Sequence, residues 1–152
     1  MISIFGIKIK VIINDFQLKV MENIKSEIEK LLFISNLNKK QEYADTFTEL
    51  INYIIEKKPY LLKKLMKTHN WSIRFEIATK LEKLKIKWLK TKIIKFLSQD
   101  KIPLIRAMIS ILPSTPLEIV KKLTKDKNKL VAEEAKTNDK LLEIYSSFKN
   151  YK

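Results

Sequence analysis

The sequence is poor in the residues on which most enzyme signatures depend. It has no cysteine, one glycine and one histidine in 152 residues. Without cysteine there is neither a disulfide framework nor a thiolate-ligated zinc or iron–sulfur site. A single glycine excludes a Gly-rich phosphate loop and a dinucleotide fingerprint, because both need several glycines where the backbone closes on a phosphate. Arginine is almost missing as well, with Arg74 and Arg106 standing alone. The apolar start, Met1 to Asn14, is interrupted by Lys8 and Lys10 and has no basic segment ahead of it and no small-residue cleavage site. It therefore reads as neither a signal peptide nor a membrane span, and a cytoplasmic location is expected.

What the chain has in excess is lysine. Basic residues number 31 against 17 acidic ones, a net charge of +14, and 45% of the residues are hydrophobic, enough for one ordinary domain with a real core. An acidic partner is the natural inference from such a balance. Crowding by Lys, Ile and Asn is also what AT-rich coding produces, so placement says more than the total. Residues 1–58 carry 9 basic and 8 acidic groups, a net of +1, whereas residues 59–152 carry 22 and 9, a net of +13.

In residues 7–13, Ile7, Ile9, Val11 and Ile13 alternate with Lys8, Lys10 and Ile12, a period of two that predicts a short strand or an extended arm packed on helices. A strand would need a partner: another segment, a second copy of the chain in a homodimer, or a different protein. Asn14-Asp15 is placed to cap a helix bearing Phe16, Val20, Ile24, Ile28, Leu31 and Leu32. A second helical pattern, Tyr43, Phe47, Leu50, Ile51, Ile54 and Ile55, ends at Lys57-Lys58-Pro59, and Pro59 fits the first turn of a third helix.

From here the chain repeats itself. Leu65, Leu97 and Leu123 share a register in which Ile73, Ile105 and Val131 follow eight residues later and Ile77, Ile109 and Ala135 four further on. Thr68, Asp100 and Asp126 stand three residues after each leading Leu, and Arg74, Arg106 and Ala132 stand nine after it. The offsets of 32 and 26 residues each hold a helix, a tight turn and a second helix. In Leu112-Pro-Ser-Thr-Pro-Leu-Glu118, Thr115 is expected as N-cap, Pro116 as first helical residue and Glu118 as the capping-box acid. Asn138-Asp139 is expected to cap a separate last helix carrying Leu141, Leu142, Tyr145 and Phe148.

The stretches His69-Asn-Trp-Ser-Ile-Arg-Phe-Glu-Ile-Ala78, Leu97-Ser-Gln-Asp-Lys-Ile-Pro-Leu-Ile-Arg106, Pro113-Ser-Thr-Pro116 and Leu123-Thr-Lys-Asp126 resemble a HEAT-like helical repeat, closest in spacing to its leucine-rich-variant relatives. The resemblance covers about residues 60–148. It implies an all-α fold, a right-handed α-α superhelix of stacked antiparallel helix pairs, with a short N-terminal strand at most beside it. One domain, 1–152, is expected, made of an N-terminal helical region, 1–58, and the array, 59–148. In similar repeats the Asp of a turn bonds the Arg of a neighbouring repeat, which implies pairs of Arg74 with Asp100 and of Arg106 with Asp126. Thr68 departs from the family's Asp in the first unit and Ala132 from its Arg in the last, where neither would have a partner. Some DNA glycosylases for alkylated bases are built from similar repeats, but no matching Asp stands beside Trp71 or Trp88, so no catalytic residue carries over.

Lysine is densest between residues 80 and 95: Lys80, Lys83, Lys85, Lys87, Lys90, Lys92 and Lys95, with Glu82 the one acid among them. The apolar positions change face near Lys85, so a bend is expected there. With Lys121, Lys122 and Lys125 these side chains are the candidate contacts to phosphates or to an acidic partner, and Trp88 is the candidate for stacking on a base. The plainer reading is a solvated lysine face with Trp88 in the core, Trp71 packing within its repeat, and Tyr145, Phe148 and Tyr151 closing the array. His69 has no Ser or carboxylate at motif spacing, and neither Glu133-Glu134 nor Glu27 with Glu29 shares a helix face as an acid–base pair would. No cofactor, metal or small-molecule substrate is implied. The expected function is non-enzymatic: a module that binds another protein along the inner face of the array or, alternatively, DNA or RNA through its lysine-rich C-terminal repeats.

Overall fold

The computed structural model describes residues 2–4, 7–9, 30 and 41–149. The helix expected over residues 16–32 lies outside the described residues except at Lys30, and so does the end of the predicted strand at 10–13. Two compact units divide the chain, Met1–Glu76 and Ile77–Lys152. The division therefore falls later than the change in charge at residues 58 and 59.

In the first unit, β1 (Ile2–Ile4) pairs antiparallel with β2 (Ile7–Ile9), Ile2 opposite Ile9 and Ile4 opposite Ile7. The partner of the expected strand is thus supplied within the chain. The remaining described elements are helical. Helix α1 (Gln41–Lys57) buries Phe47, Leu50, Ile51, Ile54 and Ile55, the three- and four-residue spacing of one apolar stripe. A 3-10 turn from Pro59 to Leu61 runs into α2 (Leu62–Leu65), with Pro59 in the first turn where no N–H is needed. Helix α3 (Trp71–Lys80) begins in this unit. Thr48 Oγ1 on α1 donates to Glu76 Oε1 on α3 at 2.8 Å, and Ile73 is fully buried.

The second unit holds the end of α3, a 3-10 turn from Leu81 to Lys83, α4 (Lys87–Leu97), α5 (Pro103–Ile111), α6 (Leu117–Leu123) and α7 (Lys129–Lys149). The bend expected near Lys85 is there: Leu84 and Ile86 are extended, and α4 starts at Lys87. Helices α5 and α6 both pack on α7. Between them Ala107, Leu123, Val131 and Ala135 form a buried cluster with Ile119 against it. Small side chains at Ala107 and Ala135 let the helices approach closely.

Two expected helix starts differ. Helix α6 is capped by Pro116, whose carbonyl accepts from the Ile119 and Val120 amides, so the helix begins at Leu117. Thr115 does not cap it: buried at 5% exposure, its hydroxyl donates back to the Ile109 carbonyl at 2.6 Å. Asn138-Asp139 starts no new helix, because α7 runs through it unbroken. Asn138 Nδ2 instead donates to the Ser110 carbonyl at 2.6 Å, tying α7 to α5, so a long-range partner took the side chain away from the local cap.

Candidate functional site

Three turns connecting consecutive helices close with the same hydrogen bonds. After α2 the amides of Met66, Lys67 and Thr68 donate to the carbonyls of Leu62, Lys64 and Leu65 at 2.9, 3.1 and 3.1 Å. After α4, Ser98, Gln99 and Asp100 donate to Ile94, Phe96 and Leu97 at 2.8, 3.2 and 3.0 Å. After α6, Thr124, Lys125 and Asp126 donate to Val120, Lys122 and Leu123 at 3.0, 3.2 and 3.0 Å. Asn70 and Asn128, at the same register, each cap the helix that follows, through the Ser72 and Val131 amides. At the middle turn that register holds Ile102, and Pro103 begins α5 without needing a donor partner.

Both arginines do the same work beside these turns. Arg74 Nη1 donates to the Thr68 carbonyl and Arg106 Nη1 to the Asp100 carbonyl, each at 2.7 Å and each across six residues. Arg106 then reaches forward to Asp126, Nε to Oδ2 and Nη2 to Oδ1, both at 2.8 Å. The two side chains are each 9% exposed. The Arg106 hydrogen bonds, aided by the Asn128 amide, hold the Asp126 carboxyl below its usual range, and Asp126 in turn raises Arg106. Asp100 Oδ1 accepts from the Ile102 amide at 2.9 Å, while Arg74, which belongs to the first unit, donates there to Thr68. Arg106 and Arg74 are consequently structural, and neither is presented to a ligand.

The candidate lysines separate into different environments. Lys83, Lys85, Lys87, Lys92 and Lys95 are exposed and Lys80 is half-buried. Lys90 is committed elsewhere: its Nζ lies 3.1 Å from the Glu82 carbonyl, 3.2 Å from Glu82 Oε2 and 3.5 Å from Ser114 Oγ. Lys90 thus leaves the set of candidate phosphate contacts. Glu82 also accepts from the Ser114 amide at 3.0 Å and its hydroxyl at 2.6 Å, fastening the bend after α3 to the loop before α6. Partial burial raises the Glu82 pKa, but the bonds from Ser114 and Lys90 outweigh it and leave the carboxyl lowered.

Trp88 is 61% exposed, so the expectation that it fills the core is corrected. The buried stripe of α4 is Leu89, Ile93, Ile94 and Leu97, and Trp88 falls one residue before it, on the outward face with Lys92 and the half-exposed Phe96. Trp71, half-exposed in α3, packs its ring 6.2 Å from that of Phe75. His69 is exposed in the turn before α3. The side chains of Tyr145, Phe148 and Tyr151 lie outside the described residues.

Lys121, Lys122 and Lys125 line a groove of about 500 Å³, with Ser98 and Gln99 from the end of α4, Ile119 and Leu123 from α6, and Asp126. Such a volume suits a few side chains of a ligand. Sequence reasoning missed the groove itself and the Glu82–Lys90–Ser114 cluster. The sequence singles out Lys121, Lys122 and Lys125 but carries no signal that sets them beside Ser98 and Gln99. Among the described residues no cluster of three or more acids and His could hold a metal ion, and no helix is long and apolar enough to cross a membrane. No family model, curated protein or solved structure matches the chain.

Proposed function

We propose that the chain is a non-enzymatic module of stacked, HEAT-like helical repeats that binds another protein along the face formed by the second helix of each repeat. The equivalent turns and the forward Arg106–Asp126 bond support the repeat reading. One observation carries the binding reading: Leu104 on α5 and Leu130 on α7, each seven residues after its leading Leu, are 44% and 48% exposed. Ile111, two turns beyond Leu104 on the same helix face, is exposed as well. Aliphatic side chains repeated at one register of adjacent helices form a surface that a protein partner covers at a gain of about 25 cal/mol per Å².

A photo-crosslinking residue at position 104 tests this reading. A discrete protein adduct that survives nuclease treatment and is lost on Leu130→Glu substitution is expected; adducts removed by nuclease, or none, would count against it. A second reading, nucleic-acid binding, is favoured by the outward stripe of Trp88, Lys92 and Phe96, an aromatic and lysine alternation able to stack bases and neutralise phosphate. It ranks second because both arginines and Lys90 are engaged within the protein.

A further inference from the structure

The groove beside α6 has an unusual charge balance for its size. Asp126 is the one acid among its lining residues, and both of its oxygens accept from Arg106, so the pair is neutral as a unit. Lys121, Lys122 and Lys125 are exposed, and none has an ion-pair partner among the described residues. Neutral side chains at and beside the groove each give one bond to backbone. Ser98 Oγ and Gln99 Nε2 donate to the Lys95 carbonyl at 2.9 and 3.3 Å, and Thr124 Oγ1 donates to that of Lys121 at 2.7 Å. What the groove offers a ligand is three exposed lysines beside the half-buried Ile119, with Leu123 all but buried behind it.

We propose that this groove takes an acidic, amphipathic peptide segment of the partner protein, its carboxylates held by Lys121, Lys122 and Lys125 and an aliphatic side chain set on Ile119. The inference rests on the reading of the chain as a protein-binding module and names the chemistry of its partner. Charge complementarity selects an anionic occupant, and the half-buried Ile119 selects one that also carries apolar groups. A nucleic-acid strand meets the first requirement and not the second: no aromatic ring lines the groove to stack a base, and the Arg106 guanidinium beside it is occupied by Asp126.

The test is fluorescence anisotropy on the full chain with a labelled synthetic peptide of Glu and Leu, a labelled peptide of Glu alone, and a labelled single-stranded oligonucleotide of matching charge. The Glu–Leu peptide is expected to bind most tightly. Lys121→Glu, Lys122→Glu and Lys125→Glu combined should weaken it about tenfold or more, since the reversed charges repel the same carboxylates. The matching Lys→Gln triple variant, which reverses no charge, should weaken it by less, and an unchanged far-ultraviolet circular dichroism spectrum shows both variants folded. Peptide binding insensitive to both triple variants, or an oligonucleotide that outcompetes the Glu–Leu peptide at this groove, overturns the proposal. A protein adduct at position 104 that persists while the peptide fails to bind removes the groove alone; loss of that adduct removes the module reading instead.

Discussion

Arg106 and Asp126 meet in a bidentate pair across 20 residues, two parallel bonds of 2.8 Å, while the same guanidinium holds the Asp100 carbonyl at 2.7 Å. One side chain thereby joins the turn after α4 to the turn after α6. Three donors in a fixed plane make this a role lysine could not fill, which explains arginine at this position in a chain otherwise committed to lysine.

Breaking the pair from either side should therefore be costly. Arg106→Met or Asp126→Ala leaves a charge with little access to water, and each is expected to destabilise the chain by about 3 kcal/mol. Urea unfolding of the wild type, both single variants and the double variant should give a coupling energy of about 1–3 kcal/mol. Additive single losses would show that the two side chains contribute independently.

Acid should weaken the fold through the same pair. Asp126 and Glu82 both have lowered pKa values, Asp126 through the Arg106 bonds and Glu82 through Ser114 and Lys90 against an opposing effect of burial. A carboxylate whose folded pKa is depressed contributes stability above its unfolded value of about 4, and that contribution is lost as pH falls through the folded value. Unfolding free energy is expected to decline as pH drops below about 4, with a shallower slope in Asp126→Asn. Glu82→Gln should flatten it less, because that side chain is 38% exposed. Equal slopes in all three proteins would remove these groups as the source.

Asn138 sits in the interior of α7, where alanine is the better helix former by about 0.5 kcal/mol. Its bond to the Ser110 carbonyl, on a fully buried residue of α5, decides the balance the other way. Leaving that carbonyl unpaired costs about 1–3 kcal/mol, so Asn138→Ala should lower the thermal midpoint despite the gain in propensity. A raised midpoint would show that the bond contributes little.

Trp88 separates the two readings of the molecule optically. In Trp71→Phe the remaining indole is on the exposed outward face of α4, and its emission should be quenched readily by acrylamide. Adding single-stranded DNA at near-physiological salt is expected to leave that emission unchanged if the ligand is a protein. Quenching by DNA, with affinity that falls steeply in a log–log plot against salt, would favour base stacking and phosphate contacts instead.

The helices of the second unit were legible because their cause is local. Leu97, Ile105, Ile109, Leu123, Val131 and Ala135 recur at a spacing that holds a helix, a turn and a second helix. The Arg106–Asp126 pair was implied by the resemblance to repeats in which the Asp of one turn bonds the Arg of its neighbour. What was misjudged depended on competition between distant groups. Thr115 and Asn138 have the chemistry of caps, yet the carbonyls of buried Ile109 and Ser110 captured them, the first across a turn of the chain and the second from a helix that no local window contains. Trp88 was expected inward because large aromatics usually are; its phase, one residue off the stripe of Leu89 and Ile93, placed it outward. The lysines showed only as a count, whereas their value depends on neighbours: Lys90 is held by Glu82, and Lys121 faces a groove.

The three turns close their backbone hydrogen bonds over a few residues each, and each arginine reaches back only six. Each turn is closed by its own residues. Arg106 adds the exception: its forward bonds to Asp126 tie the turn after α4 to the turn after α6, so removing the first would strip the second of its partner. These two turns therefore stand or fall together, joined by a single side chain.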